Sequence, residues 1–479
     1  MNYRAVILFL TIGILFATAI TGVVSAENTT YDNGNLSDEE VDEIYNRTVH
    51  RVETLTNYSY KQHPEYTLIT SEEFGNDTYT ELVVTTEQTE LVWNDALFIT
   101  STDQNYSNEV SEILSEGVGG YYIPSNNELV IVVEKNPSGY TIDTRTLAHE
   151  LVHAQQDDQY GLSNSSQNQT YDSESAYTAG VEGNAVEIEE QYLKKCTTNE
   201  WECLEQPETD ADTSNFNEGI LMYQLFPYTY GYSYVKHRPT QSIFNNPPTE
   251  TRQIIRNTST RSAPNNTTFS TPKEWFFTQN PPNVNRLGSV LIASHVRYHS
   301  QHTTNYPLEN KPPRIEESPQ HRSGFSYNYT IAESYQYDTF IPLIRKSTSD
   351  RGFIWRIKWK NSSSSVMYGQ AYKQVLTESG GTKITEDDKT FYRVNKSSPV
   401  YYHVGVTEAN ETVIIFAESK ESIIDLQSKT DGNEFSTIQR NWKNIDIFEY
   451  ILVSVILVFL LLLVFGNKIG KWILKNILR

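Results

Sequence analysis

In this 479-residue sequence the run Thr146-Leu-Ala-His-Glu-Leu-Val-His-Ala-Gln155 constrains the fold most, because it sets two histidines four residues apart around a glutamate in an otherwise uncharged stretch. On a helix, positions i and i+4 share a face, so His149 and His153 can direct imidazole nitrogens at one ion about 2.0 to 2.1 Å away. Glu150 then lies beside that ion as a candidate general base. The alternative is a surface helix that merely carries two histidines, and such a helix needs no third ligand.

A catalytic zinc site commonly takes three protein donors and leaves a fourth position open. The next helical stretch, residues 173–195, offers the third: Ala176, Ala179, Ala185, Val186 and Ile188 are spaced for one packed face, and Glu182 lies on it. A carboxylate between Ala179 and Ala185 is costly to bury unless a cation meets it. Glu187, Glu189 and Glu190 fall nearer the polar side and read as a solvated acidic face.

With these residues in view, HELVHAQQD at 149–157 followed by VEGNA at 181–185 resembles the gluzincin metallopeptidases, the HExxH-plus-Glu group that includes thermolysin-like enzymes. The match is similar in more detail to haloarchaeal and bacterial surface-associated proteins with HELxHAxQD, VEGxA, an aromatic Pro-Tyr-x-x-Gly segment (here at 227–231) and a Pro-Pro stretch (here at 247–248). It covers residues 118–257 and implies a zincin-like fold, one zinc ion held by His149, His153 and Glu182, and Glu150 as general base. Three departures limit it. Gln156 and Tyr160 exclude the longer HExxHxxGxxH pattern, Val186 stands four residues after Glu182 where thermolysin-like enzymes carry a supporting aspartate, and Arg252 replaces an expected acid. Support for a ligand imidazole must then come from elsewhere. Asp157, one turn beyond His153, is the nearest option, with capping of the helix end as its other use.

The implied chemistry is peptide hydrolysis, with zinc activating water and Glu150 carrying its proton. A further donor for the developing oxyanion is sought among Tyr228, Tyr230, Tyr232, Tyr234 and His237, of which Tyr230 and His237 are singled out; packing is the bland use of that segment. Ahead of the metal helix, Gly117 to Pro124 and the apolar run after Asn127 read as a turn and strand; an exposed edge there would suit pairing with an extended peptide, and an ordinary core strand is the alternative. Asp143 or Thr144 caps the helix.

Residues 1–26 read as a secretory signal ending Val24-Ser25-Ala26, or as an uncleaved anchor. Residues 447–466 form a span long enough to cross a bilayer, followed by Lys468, Lys471, Lys475 and Arg479, which places the tail of 467–479 in the cytoplasm and the rest outside. Asn-x-Ser/Thr sequons between Asn28 and Asn410 agree with an outward, glycosylated surface. A net charge of −22 repels nucleic acid and suits solubility in concentrated salt, hence a halophilic origin. The two cysteines, Cys196 and Cys203, are expected to form one disulfide in that compartment.

The expected fold class is α+β. An N-terminal helix and strand region (27–116), the helix opening at Ser37-Asp-Glu-Glu, precedes a zincin-like core (117–300), a linker (301–323) and a smaller α+β module (324–427). That module contains a strand at 353–359, a helix at 366–376 and a hairpin around 408–411. A polar stalk (428–446) and the transmembrane helix follow. The function expected is a membrane-anchored cell-surface zinc metalloprotease acting on peptide or protein substrates; the alternative is a surface or adhesion protein with a structural or degenerate zinc site.

Overall fold

The computed structural model describes residues 9–12, 32–74, 86–101, 103–162, 170–205, 215–261, 274–277, 285–308, 325–386 and 389–429. The rest of the expected leader, most of the 301–323 linker and of the 428–446 stalk, the 447–466 span and the basic tail lie outside the described residues. Among the described residues no helix is long and apolar enough to cross a membrane.

The structure is mixed α+β, built on two sheets. The first has the order β1 (Phe9–Ile12), β3 (Val118–Ile123), β4 (Glu128–Asn136), β2 (Glu65–Thr70), with β5 (Gly139–Thr141) paired to β4. β2 runs parallel to β4, while β3 is antiparallel to both β4 and β1. β4 is apolar on both faces, as a covered central strand must be: Leu129, Ile131 and Val133 join one core cluster and Val130 the other. On the first face lies α1 (Asp38–Thr56), whose start is fixed by a reciprocal capping box between Ser37 and Glu40 and which buries Val41, Ile44, Tyr45 and Val49. Between α1 and the site pack α3 (Thr144–Tyr160) and α4 (Tyr171–Thr197), while α2 (Tyr106–Gly117) leads into β3. The apolar run after Asn127, a candidate for an exposed edge, is the central strand β4, covered by β3 on one side and β2 on the other. Val118–Ile123, read as part of a turn, is itself a strand whose outer edge pairs with β1.

Helix α5 (Glu218–Phe226) continues into a π-helical turn, Pro227–Gly231. Helix α6 (Gly288–His302) then precedes a seven-stranded sheet in the order β6 (Trp275–Phe277), β7 (Tyr335–Arg345), β8 (Arg351–Trp359), β12 (Glu411–Ala417), β11 (Pro399–Thr407), β10 (Lys389–Asn395), β9 (Thr382–Glu386). Alternation decides its faces. Phe353, Trp355, Ile357 and Trp359 of β8 point to the large core under α7 (Ser362–Glu378), and Ile354 points to a smaller cluster closed by Ile423 and Leu426 of α8 (Lys420–Lys429). The expected strand, helix and hairpin of this region are all present, the hairpin turning at left-handed Asn410.

Two buried carboxylates fasten this sheet to the helices. Asp338 on β7 accepts from the backbone N–H groups of Leu287 and Gly288 at the start of α6, and from Trp355 Nε1 and the Tyr335 hydroxyl. Asp172, in the first turn of α4, accepts from the backbone N–H and hydroxyl of Thr251 at 2.8 and 2.6 Å. It also presses on Gly288 at φ +84°, where a Cβ would stand 2.2 Å from its Oδ1, so only glycine meets both the backbone angle and the space. Burial pushes the Asp172 pKa up to about 6, with Asp338 adding to the rise and Arg286 and Thr251 opposing it.

That shift carries a sign. The folded pKa of about 6 exceeds the ordinary 3.8, so the unfolded chain ionises first, and the stability this group contributes is full below about pH 4 and lost as pH rises to about 6. We expect Asp172→Asn to remove that step. The stability of the parent relative to the variant, from denaturant unfolding at constant high salt, should fall by roughly 2–3 kcal/mol between pH 4 and pH 7. A pH-independent difference would refute the assignment.

Candidate metal centre

Helix α3 begins where Asp143 accepts from the Arg145 N–H and ends at left-handed Gly161. Every residue from Leu147 to Gln156 is buried, so this is a core helix that happens to carry chemistry. Helix α4 lies across it and presents Glu182. The Nε2 atoms of His149 and His153 stand 3.1 and 3.2 Å from one oxygen, Glu182 Oε2, and the three side chains are at most 1% exposed. The donor atoms lie within 4.8 Å of one another, and together they form the one group among the described residues with the make-up of a metal site. Two donors about 2.05 Å from a tetrahedral ion stand ~3.3 Å apart, close to these spacings. The pairing of His149 and His153 with Glu182 is therefore the arrangement expected from the sequence.

The supporting residues differ from expectation. His149 Nδ1 lies 3.1 Å from Glu189 Oε2, and Glu189 Oε1 lies 3.2 Å from Arg145 Nε. Glu189, read as part of a solvated acidic face, is 3% exposed. It stands seven residues after Glu182, two turns along the same face of α4, and it supplies the carboxylate that Val186 does not. His153 Nδ1 pairs with Gln156 Oε1 at 2.8 Å, and the Gln156 amide is held by the Val181 carbonyl and Asn184 Oδ1. Asp157 is not the support: it accepts from the Tyr122 hydroxyl and the Leu162 N–H, fastening the helix end to β3. One turn beyond His153, its side chain has rotated past the metal face.

Charge balance shows what the cluster lacks. Glu150, Glu182 and Glu189 are buried together, and Arg145 is the nearby permanent cation. Burial drives the Glu150 carboxyl well above the usual range, with Glu182 and Glu189 adding to the effect against the pull of His149. Neither Glu150 oxygen makes a well-formed hydrogen bond. Burial disfavours a charged His149, yet its hydrogen bonds with Glu182 and Glu189 raise its pKa to about 10. The group thus takes up a proton where it could take an ion. The imidazole and carboxylate donors, and a further buried carboxylate beside them, fit a divalent transition metal.

The close approach of α4 to the π-helical turn positions the last wall. A Cβ on Gly183 would meet the Gly231 carbonyl carbon at 2.2 Å, and one on Gly231 would meet the Ala179 carbonyl oxygen at 2.2 Å, so the two backbones pack directly. This contact brings the Tyr228 ring to 6.2 Å from that of His149. Tyr230, by contrast, turns into the core: its ring packs on Phe226 and Tyr327, and its hydroxyl accepts from the Tyr327 N–H at 3.2 Å. His237 is exposed in the turn after Val235. A π-helical turn rotates each residue by less than an α-helical one, which shifts the phase of this segment relative to α5. The expected disulfide joins Cys196 to Cys203 at the end of α4, where Arg51 packs over Trp201.

A family model described as a domain of unknown function (DUF8575) matches residues 278–427, the region from just before α6 to α8. No curated protein and no solved structure matches the chain. The metal group lies outside the matched region, so its reading rests on geometry.

The Glu189 contact is directly testable. Outer partners of ligand histidines typically contribute 10- to 100-fold in metal affinity. We expect Glu189→Gln to weaken zinc binding by about that factor, measured by competition with a chelating dye, with the metal-free fold retained by circular dichroism. Unchanged affinity would show that Glu189 does not support the site.

Proposed function

We propose that this chain is a zinc metallopeptidase, displayed outside the cell on a C-terminal membrane anchor, that hydrolyses peptide or protein substrates. The observation that carries the reading is the convergence of His149, His153 and Glu182 with the buried Glu150 carboxylate beside them. The resemblance to gluzincins points the same way. Zinc held by these three donors would act as a Lewis acid toward a carbonyl and would lower the pKa of water.

The chain's own residues do the rest. Glu150 takes the proton of the attacking water and delivers it to the leaving amine. Glu189 and Gln156 hold the two imidazoles in orientation. Tyr228, against His149, is the tyrosine best placed to donate to the oxygen that becomes negative, which Tyr230, turned into the core, is not. β3 runs past Glu150, with Gly120 against its side chain, and forms one wall of the site.

The extracellular placement is supported by the Cys196–Cys203 disulfide, by the apolar span at 447–466 with its basic tail, and by the acidic composition suited to high salt. The alternative of an adhesion protein with a structural zinc site would call for closure by four protein ligands. Among the described residues the group comprises three, which favours an open position.

The test compares the parent chain with Glu150→Gln in high and low salt, reading zinc content and cleavage of a mixed peptide library. We expect about one zinc per chain in both. Cleavage by the parent should fall at least about 100-fold in the variant. Zinc binding without cleavage by either protein would sink the peptidase reading and leave the structural one.

A further inference from the structure

We infer that Asn184 is a positioning residue for the metal group: acting through Gln156, and itself bonded to Thr240, it fixes which nitrogen His153 turns toward the ion. The inference rests on the zinc reading of the cluster and is independent of peptide hydrolysis.

An amide side chain can present either its oxygen or its nitrogen to a neighbour, and for a histidine the two choices have opposite consequences. A Gln156 oxygen facing His153 Nδ1 keeps the proton on Nδ1 and leaves the Nε2 lone pair for a metal. A Gln156 nitrogen in that place would put the proton on Nε2, where it blocks ligation. The surroundings decide between them. The Gln156 nitrogen lies 3.0 Å from the Val181 carbonyl oxygen and 3.1 Å from Asn184 Oδ1, while Oε1 lies 2.8 Å from His153 Nδ1. A backbone carbonyl only accepts, so the nitrogen faces Val181. From that fixed point the order runs outward. Asn184 offers its oxygen to the second N–H of Gln156, and its own nitrogen donates to Thr240 Oγ1 at 3.2 Å. With Asn184 in place both N–H groups of the Gln156 amide are bonded, and a flip would set the Gln156 oxygen against two acceptors. Without it, one N–H is left unpaired on a side chain that is 2% exposed.

This accounts for an otherwise costly residue. Asn184 is 5% exposed in the interior of α4, where asparagine is a poor helix former and its amide is expensive to bury unbonded. It stands two residues after Glu182, and Val181 one before, so a single turn of α4 presents Glu182 and also holds the partner of His153. Thr240 opens the short helix Thr240–Asn245, which rests on both α3 and α4. Phe244 stacks on Tyr160 with ring centroids 4.2 Å apart, and Ile243 lies over Gly180, where a Cβ would stand 3.1 Å from its Cγ2. The His153 side of the group is thus fastened by neutral amides and a hydroxyl, the His149 side by Glu189 and Arg145.

The test measures zinc affinity of the full chain by competition with a chelating dye, and the visible spectrum of its cobalt(II) form, which reports ligand geometry. Asn184→Leu keeps the bulk and removes the acceptor. We expect it to weaken zinc binding about 10-fold or more and to alter the cobalt spectrum. In the Gln156→Leu background the same substitution should add nothing, because Asn184 acts through Gln156, whereas its effect should add in full to that of Glu189→Gln. Thr240 is exposed, so Thr240→Val spares the core; it should weaken zinc binding roughly threefold, with the circular dichroism of the metal-free chain unchanged. If Asn184→Leu does not fold, Thr240→Val decides by the same two readouts. Parental affinity in these variants overturns the proposal, and so does a loss that persists undiminished in the Gln156→Leu background. Failure of the parent to bind zinc sinks the metal reading and this inference together. The expected coupling in a chain that cleaves no peptide leaves the positioning role standing and removes the peptidase reading.

Discussion

The structure turns on a concentration of buried negative charge. Three carboxylates, Glu150, Glu182 and Glu189, are at most 3% exposed within two packed helices, with Arg145 as the adjoining permanent cation. Carboxylates do not remain ionised in such a place unless they are paired or bind a metal. Removing one partner from a buried pair typically costs about 3–5 kcal/mol, so the arrangement persists only if every member is answered. His149 answers two of them at once, and the tendency to keep both its nitrogens protonated expresses the same need as a divalent ion would meet.

Around this cluster the fold is organised to bring backbones, more than side chains, close together. Gly183 against Gly231 is a contact that any Cβ would break, while Gly119 and Gly120 let β3 lie close to Thr146 and Glu150 of α3, and these two approaches set the walls that flank the metal group. The second sheet joins through polar anchors instead. Asp338 holds the start of α6 to β7 and β8, while Asp172 ties the first turn of α4 to Thr251 and to Gly288. The helix that carries Glu182 is thus fixed at its beginning by the junction with the C-terminal sheet, although among the described residues that sheet contributes no donor to the group.

Much of this was legible in the sequence, for specific reasons. The i, i+4 spacing of His149 and His153 and the small-residue face around Glu182 are local helical facts, and the helix geometry carries them into space unchanged. The capping box at Ser37, the period-two pattern of β8 and the hairpin at Asn410 are local in the same sense. What misled was every residue whose role depends on the crossing of two helices. Glu189 looks solvated from its own neighbours and becomes buried only because α3 lies over it. Its signal was present as the seven-residue interval from Glu182, which returns to the same face. Asp157 and Tyr230 erred in the opposite direction, near in sequence yet rotated away, the second because a π-helical turn shifts the phase of the segment. Gln156, three residues from His153, was readable as its partner from helix geometry alone.

The route of support from Glu189 has a structural consequence that an aspartate at position 186 would lack. Glu189 reaches Arg145 in the first turn of α3, and Arg145 in turn lies 3.7 Å from the cap residue Asp143. His149 sits one turn further along that same helix. The start of α3, His149 and the carboxylate that orients its imidazole therefore form a closed circuit with α4. Movement of either helix along the other would break the His149–Glu189 contact and the Glu189–Arg145 contact together. The two helices are locked in register by the interactions that also orient the imidazole, so rigidity of the site and rigidity of the α3–α4 packing are a single property of this fold.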